Sequence, residues 1–393
     1  MRSREIYLIL SVGLFFRVCI SLWNGFWGPS FGADADASSF HQAAINLFSY
    51  PGPINELAEL KTSYPDYFRL HPDYAHGFHL LNHFYSYLLA TVYSITTGSL
   101  FIGSLFSAFI WTTSAMILIH IMRLLEVDQS NQFKAMVIYS LLPSSIIITS
   151  ATLREPFQLI MVNLAVYSAI KIYLDKSIKH GFLLLAAIMI MKKFHISLYI
   201  LGLFILFALF ILLIFHRYQR ASLLKTLLIL SLLASIVLFA ISWYGVPKIY
   251  SGYALKKGLP AAIEGYLLGG ISYEARTQYI HDLNLNGMID LLLFFPKNFF
   301  QYLFEPMPWR VSTISDVIAL LENLLRVGLI WKILTGLRHL PTHKQRLALF
   351  TFLSYLALEG IWSIGTVSWG TAIRHHIPGM GLLIATAFAC TRI

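Results

Sequence analysis

The sequence from Gly32 to Phe48 reads GADADASSFHQAAINLF and directly follows the first hydrophobic span of the chain. It carries two carboxylates, Asp34 and Asp36, placed two residues apart. We expect Asp36 to cap a short helix, because aspartate side chains accept hydrogen bonds from the free backbone N–H groups at a helix start. Apolar residues then recur at helical spacing and predict one apolar face: Phe40, Ala43, Ala44, Leu47 and Phe48. Such a helix is expected to lie on a membrane surface rather than cross it.

The composition predicts a polytopic membrane protein. Of the 393 residues, 57% are hydrophobic and only 12% are charged, whereas a soluble protein of this length needs far more charge to cover its surface. The net charge of +10 comes from Lys and Arg in short connections between apolar spans, without a nucleic-acid-binding motif, so no nucleic-acid partner is expected. Cys19 and Cys390 lie in apolar spans near opposite chain ends, and predict neither a disulfide framework nor a metal-binding pair.

The first span, Ile6 to Trp23, follows Arg2 and Arg4, which predict a cytoplasmic N-terminus and a retained helix rather than a cleaved signal. The aromatic stretch His79 to Ile95 could cross the membrane or lie in its outer interface. The interfacial reading is favoured because it leaves every basic connection on the cytoplasmic side. These connections are Arg123–Lys134, Lys171–His180, His216–Lys225 and Lys332–Arg346.

We therefore predict an all-α fold in a single transmembrane domain over 1–393, with both termini cytoplasmic and no separate soluble domain. Residues 24–99 form a first external loop with interfacial helices, and 245–316 form a second large external segment. Within the latter, three prolines make Ile289 to Trp309 an interfacial or re-entrant element rather than a spanning helix. About ten spans are predicted, at 6–23, 100–122, 133–150, 156–174, 181–192, 194–215, 222–244, 317–335, 347–366 and 376–391.

This topology gathers ionisable residues at the outer ends of spans. They are Asp34 and Asp36, Arg154 and Glu155 in the turn TLREP, Lys192, Lys193 and His195 between two spans, and Arg374, His375 and His376 in GTAIRHHIPG. Charged groups near the hydrocarbon are costly and usually functional. The basic groups could hold a phosphate or diphosphate, and the carboxylates could act as a base or orient a hydroxyl.

Each of these residues also has a purely structural interpretation. Asp36 could be only a helix cap, and Glu155 before Pro156 is a common helix start. Lys192 and Lys193 could extend along apolar surface to the interface. The interpretation as a site depends on their convergence on one face.

Other ionisable residues are weighed in the same way. His375 and His376 could ligate a metal, but no carboxylate or third histidine stands at ligand spacing, so neither a metal nor a cofactor is predicted. Arg17, inside the first span, is expected to pair with an acid or to reach the outer interface, and it is a candidate substrate-binding residue. Glu322 is expected to pair with Arg326, one helical turn later.

Three short motifs resemble the GT-C glycosyltransferases, most closely the bacterial branch related to protein O-mannosyltransferases and the aminoarabinose transferase of lipid A. They are LFFRV at the end of the first span, DADASSFHQAA in the first loop and LRE in a later turn. The resemblance implies that Asp36, four residues before Phe40, is the catalytic or acceptor-orienting carboxylate, with Asp34 as the second candidate. It maps the family's second-loop acid onto Glu155 and its outer lysine onto Lys192 or Lys193.

The GTAIRHHIP run is similar to Gly-Thr…Arg-His segments that precede a late span in such proteins. Phe40 stands where the family usually has Tyr, and the soluble C-terminal domain of many members is not seen in this sequence. Since that domain often contributes to acceptor recognition, the acceptor is left open.

The expected function is glycosyl transfer with inversion, from a polyprenyl-phosphate-linked sugar to an envelope glycan, lipid or protein, at the external face of a bacterial cytoplasmic membrane. The donor phosphate would be held by Lys192, Lys193, Arg374 and Arg154, with His195, His375 and Arg17 as further substrate-binding candidates. Asp36, Asp34 and Glu155 are the catalytic candidates. Two alternatives remain: a polysaccharide polymerase or ligase with a diphosphate-linked donor, and a transporter of lipid-linked sugar. A transporter typically shows broken helices and internal repeats, and no repeat is visible.

Overall fold

The computed structural model describes residues 2–29, 34–49, 83–216 and 283–391, with parts of 260–281. Within these ranges the chain is almost wholly helical and contains no strand, only an isolated bridge between Gln278 and Ser368. The predicted span at 222–244, most of the acidic first loop and the side chain of Asp34 lie outside the described residues.

The helices follow one another along the chain with short connections. They are α1 (Arg2–Trp27), α2 (Asp34–Ser49), α3 (Phe84–Ile95), α4 (Leu100–Leu124), α5 (Gln129–Leu141), α6 (Pro143–Ile148), α7 (Glu155–Asp175), α8 (Ile178–Phe194), α9 (Ile196–His216), α10 (Met288–Phe304), α11 (Ile314–Gly336), α12 (Thr342–Ile364) and α13 (Trp369–Ala389). Single turns of 3-10 helix occur at Pro308–Arg310 and Leu337–His339.

Five helices in the described part of the chain are long and apolar enough to cross a membrane. They are Arg4–Trp27, Leu100–Leu124, Glu155–Asp175, Ile196–Ile214 and Thr342–Ile364. The prediction of an all-α membrane protein is thereby confirmed for the described residues. The chain divides into two compact units, the first comprising Met1–Ala115 and Ser140–Ile160, the second Met116–Tyr139 and Met161–Ile393.

In the first unit, the apolar face of α2 is covered by α3. Ala37, Phe40, Ala43 and Ala44 are buried, whereas Phe48 at the end of the helix is 46% exposed. Helix α3 has 12 residues and is about 18 Å long, too short for a hydrocarbon layer of about 30 Å. This length agrees with the reading of the segment before Ile95 as an element that does not cross the membrane.

The prediction that Asp36 caps α2 is wrong, because the helix already begins at Asp34. Asp36 is its third residue, so both acids lie in the first turn, where the positive end of the helix dipole favours a carboxylate. Asp36 is therefore not the N-cap residue of this helix.

Two predicted spans also differ from the structure. The span at 133–150 is divided into α5 and α6, because Pro143 lacks the N–H that would continue the first helix and instead starts the second. The last helix begins at Trp369 rather than 376, since the Ser368 hydroxyl accepts a hydrogen bond from the Thr371 backbone and caps it earlier. Arg374 and His375 are therefore helical and not part of a loop.

In the second unit, helix α12 has 23 residues and is about 34 Å long, so its first and last residues mark two opposite ends of this unit. At its start, the Glu126 carboxylate binds Lys344 at 2.8 Å and His343 at 3.1 Å. Two of the predicted cytoplasmic connections thus meet at one end of this unit. At the other end, the Tyr279 hydroxyl donates to the Thr366 carbonyl at 2.8 Å, which joins the segment before α10 to the turn after α12.

Candidate functional site

The acid-bearing helix α2 and the TLREP turn lie together in the first unit. The Thr152 hydroxyl, in the turn, donates a hydrogen bond of 3.0 Å to the carbonyl of Ala37 in the first turn of α2. Thr152 and Ala37 are both buried, so the contact is shielded from solvent. Because Ala37 follows Asp36 and Thr152 precedes Arg154 by two residues, the two predicted groups of ionisable residues are neighbours.

The charged side chains of this region differ in burial. Asp36 and Arg154 are half-buried. Glu155 is buried and is the first residue of α7, where the helix dipole favours its negative charge. The Arg154 carbonyl accepts the N–H groups of Phe157 and Gln158, which fixes the backbone of the turn. The arrangement can present a carboxylate and a guanidinium to one ligand.

Aromatic rings form the floor beside these acids. Phe40 packs edge-on against Tyr85 at 5.0 Å between centroids, and Tyr85 contacts Phe157 at 5.4 Å. His41 Nδ1 lies 2.7 Å from the Tyr93 hydroxyl. Burial lowers the pKa of His41 and raises the pKa of Tyr93, so both groups are neutral at pH 7. The sequence did not single out His41, although it directly follows Phe40, and its partner Tyr93 lies on another helix.

Arg17 is enclosed in the first unit and does not line an open site. Its guanidinium donates to four uncharged oxygens at 2.8 to 3.1 Å: Thr149 Oγ1, Gly13 O, Ser140 O and Ser145 Oγ. It also lies 3.3 Å from the centre of the Trp111 ring. With the side chain fully buried, this geometry favours a structural role that ties α1 to α6 over contact with substrate.

The predicted basic residues of the second unit are brought to one end of α12. Lys192 and Lys193 lie in the last turn of α8, and His195 follows that helix directly. The His195 ring contacts Trp362 at 4.6 Å between centroids. On Trp362, the ring of His375 is stacked at 4.0 Å with an interplanar angle of 19°. Two histidines predicted from distant segments thus meet through a buried tryptophan that the sequence did not single out.

Hydrogen bonds place the two histidines in different surroundings. The Thr366 hydroxyl lies 2.7 Å from the Trp362 carbonyl and 2.9 Å from His375 Nδ1. His195 Nδ1 accepts the backbone N–H of Ser197 at 3.1 Å, so in the neutral ring Nε2 carries the proton.

Beneath this stack lies a buried pair that sequence reasoning missed. Glu359 Oε2 is 2.5 Å from His376 Nδ1, and both side chains are almost fully buried. His376 Nε2 faces the Tyr302 carbonyl at 3.2 Å. Because a carbonyl only accepts, Nε2 carries a proton, and one further proton is shared between Nδ1 and the carboxylate. The sequence feature that could have indicated this pair is Glu359, the single acid in the apolar helix α12.

A polar network surrounds this pair on the neighbouring helices. The Arg326 guanidinium donates to the Leu303 carbonyl at 2.8 Å and to Asn323 Oδ1 at 2.6 Å. Asn323 in turn donates to the Glu305 carbonyl at 2.8 Å. The predicted partner of Arg326, Glu322, is also buried in the second unit. The network fixes the end of α10 on α11.

Asp316 lies at the same end of the second unit, next to Trp369 at the start of α13. Its carboxylate accepts from the Arg276 guanidinium at 2.8 and 3.1 Å and from Trp369 Nε1 at 3.0 Å. It also completes a capping box with Thr313 at the start of α11. Burial raises the pKa of Asp316, but the hydrogen bonds from Arg276, Trp369 and the Ser312 backbone outweigh it and hold that pKa well below its ordinary value.

The predicted site residues are therefore divided between the units. Asp34, Asp36, Arg154, Glu155 and Arg17 belong to the first unit, and Lys192, Lys193, His195, Arg374 and His375 belong to the second. Within the described residues, no three His, Cys, Asp or Glu side chains gather in a group that could hold a metal ion. Comparison of the chain with models of protein families, with curated proteins and with solved structures gives no match.

Proposed function

We propose that this protein is a GT-C-type membrane glycosyltransferase that moves a sugar from a polyprenyl-phosphate donor to a cell-envelope glycan, lipid or protein. The proposed topology has about ten spans in a bacterial cytoplasmic membrane, with the reaction at its external face. The observation that carries the proposal is the hydrogen bond from Thr152 to Ala37, which joins the acid-bearing helix to the Arg154–Glu155 turn.

In the proposed reaction, the acceptor hydroxyl attacks the anomeric carbon while the bond from that carbon to the lipid phosphate breaks. The hydroxyl proton passes to the carboxylate of Asp36, or of Asp34, and the lipid phosphate leaves with the bonding electrons. The placement of Asp36 in the first turn of α2, the helix that the TLREP turn contacts through Thr152, supports Asp36 as the base. The leaving phosphate is stable as an anion, so cationic side chains rather than an acid would carry much of the barrier reduction.

The second unit supports the proposal separately. Lys192, Lys193 and Arg374 carry positive charge at the end of α12 that bears the His195–Trp362–His375 stack. Lysine and arginine are the ordinary ligands of phosphate in proteins.

The experiment that tests this function is mass spectrometry of envelope glycans and lipid-linked intermediates in a deletion strain. We expect a polyprenyl-phosphate sugar to accumulate and one glycan, lipid or protein modification to disappear, with both restored by the wild-type gene. Unchanged envelope composition would overturn the proposal. Accumulation of a diphosphate-linked oligosaccharide would favour the polymerase or ligase reaction, and lipid-linked sugar confined to one leaflet without a missing product would favour a transporter.

A further inference from the structure

A cavity of about 190 Å³ lies at the opposite end of the second unit from Trp362. It is lined by Lys332, Thr335, Gly336, Cys390 and Thr391, at the ends of α11 and α13. The two helix ends touch at Gly336, where even a methyl group would meet the Cys390 backbone. The cavity is far larger than the roughly 10–15 Å³ that a single water requires, so it has room for a small ionic group.

The polar groups of this cavity suit an anion. The Lys332 ammonium lies 3.9 Å above the Phe388 ring, and among the described residues it meets no carboxylate. Lys134 does not line the cavity but is near enough to Lys332 for the two positive charges to repel each other. The Thr391 hydroxyl is buried without a hydrogen-bond partner, at a cost that a ligand oxygen would remove. A phosphate group offers the negative charge and acceptor oxygens that these groups lack.

An apolar stripe on α11 leads to the cavity. Leu324, Val327, Trp331 and Leu334 recur at spacings of three and four residues and are all exposed, with Trp331 at 67%. Thr335 and Lys332 border this stripe on the same helix. If the phosphate at Lys332 belongs to a lipid, the acyl chain of that lipid can cover this apolar stripe. A free phosphate ion would leave the stripe uncovered.

We propose that this cavity binds the phosphate of an anionic phospholipid, with one acyl chain along the exposed stripe of α11. The two lysines favour a headgroup with net negative charge over a zwitterionic one. This site lies at the end where Glu126 meets Lys344, away from the histidine stack, and the proposal does not depend on glycosyl transfer.

The test is native mass spectrometry of the delipidated full-length protein titrated with phosphatidylglycerol, phosphatidylcholine or inorganic phosphate. Wild-type protein should retain one phosphatidylglycerol with an affinity roughly tenfold above that for phosphatidylcholine, a difference of about 1.4 kcal/mol. Lys332→Gln and Thr391→Val should each remove most of this preference, whereas Lys332→Arg should keep it. Lys344→Gln, a matched loss of charge at the same end, should leave it unchanged.

The outcomes decide between the possible ligands. Equal binding of the two lipids, or equal loss of preference in Lys344→Gln, would overturn the site. Competition by inorganic phosphate at the same concentration as phosphatidylglycerol would assign the cavity to a free anion and overturn the lipid. If Lys332→Gln fails to fold, the two other variants still test the site, since Thr391→Val should lose the preference for phosphatidylglycerol and Lys332→Arg should keep it. The same lipid preference in both variants would contradict the proposal.

Discussion

The His375 ring is stacked on Trp362 with 4.0 Å between the ring centroids, and the next residue, His376, is hydrogen-bonded to Glu359. Glu359 precedes Trp362 by one turn of α12. Two consecutive residues of α13 thus contact two residues on one face of α12. The double contact sets both the rotation and the axial position of α13 on α12. The buried pair therefore positions the His375 ring.

Loss of one partner of the buried pair should be severe. We expect Glu359→Gln to lower the free energy of unfolding by about 3–5 kcal/mol, because the partner is left buried without its counter-charge or shared proton. The measurement is the thermal unfolding midpoint in detergent. Glu126→Gln is the matched control, since the Glu126 side chain is 53% exposed and pairs of exposed groups contribute at most about 1 kcal/mol. Equal midpoints for the two variants would contradict this account.

The close approach of α11 and α13 gives a second prediction. Gly336→Ala should lower the free energy of unfolding by about 1–3 kcal/mol, because the added methyl group meets the Cys390 carbonyl and the helix ends must separate. Gly328→Ala, on the same helix, has nothing within 4 Å of the added methyl group and should stabilise by about 0.5–1 kcal/mol. The thermal unfolding midpoints of both variants test this prediction. A midpoint lowered as much by Gly328→Ala as by Gly336→Ala would contradict it.

Arg17 should be intolerant even of a change that keeps its charge. Arg17→Lys loses the planar fork that reaches four oxygens and leaves several buried acceptors unbonded, so we expect a loss of about 3 kcal/mol in unfolding free energy. Arg4→Lys, at an exposed position of the same helix, should change it by less than about 0.5 kcal/mol. Similar unfolding midpoints would refute the structural role of Arg17.

Asp316 makes stability depend on pH in a stated direction. Its pKa is lower in the folded state than the ordinary value of about 3.9, so its contribution is full above that value and is lost as the pH falls below it. We expect Asp316→Asn to lower the free energy of unfolding by about 1–2 kcal/mol at pH 7. The gap between variant and wild type should narrow below about pH 4. Unfolding midpoints measured from pH 7 to pH 3 test this, and a constant gap would argue against it.

The sequence predicted helix positions well wherever apolar runs were long and bounded by charge, as in α4, α7, α9 and α12. It did not predict the break at Leu142, because mean hydropathy is insensitive to one proline within an apolar run. The capping box of Thr313 and Asp316 was visible as two polar residues three apart before an apolar run, and was overlooked.

The candidate site was only partly accessible from sequence, for a physical reason. Residues that are adjacent in the sequence lie close together in any fold, so Lys192 could be grouped with Lys193, and Arg374 with His375. The partners of a buried polar group come from other helices, and nothing in the spacing of α12 indicates that Glu359 faces His376. The tautomer of a histidine depends on such partners as well, so assigning that of His195 required the structure.

Sugar transfer by the purified protein shows whether an acid of α2 acts as the base. Purified protein in lipid vesicles would be supplied with polyprenyl-phosphate sugar from the deletion strain, and product formation would be compared for wild type and the double variant Asp34→Asn/Asp36→Asn. Asp175→Asn, an exposed acid paired with Lys171, serves as the control. We predict a loss of at least about 100-fold in the double variant and none in the control. Unchanged transfer by a stably folded double variant would contradict the account.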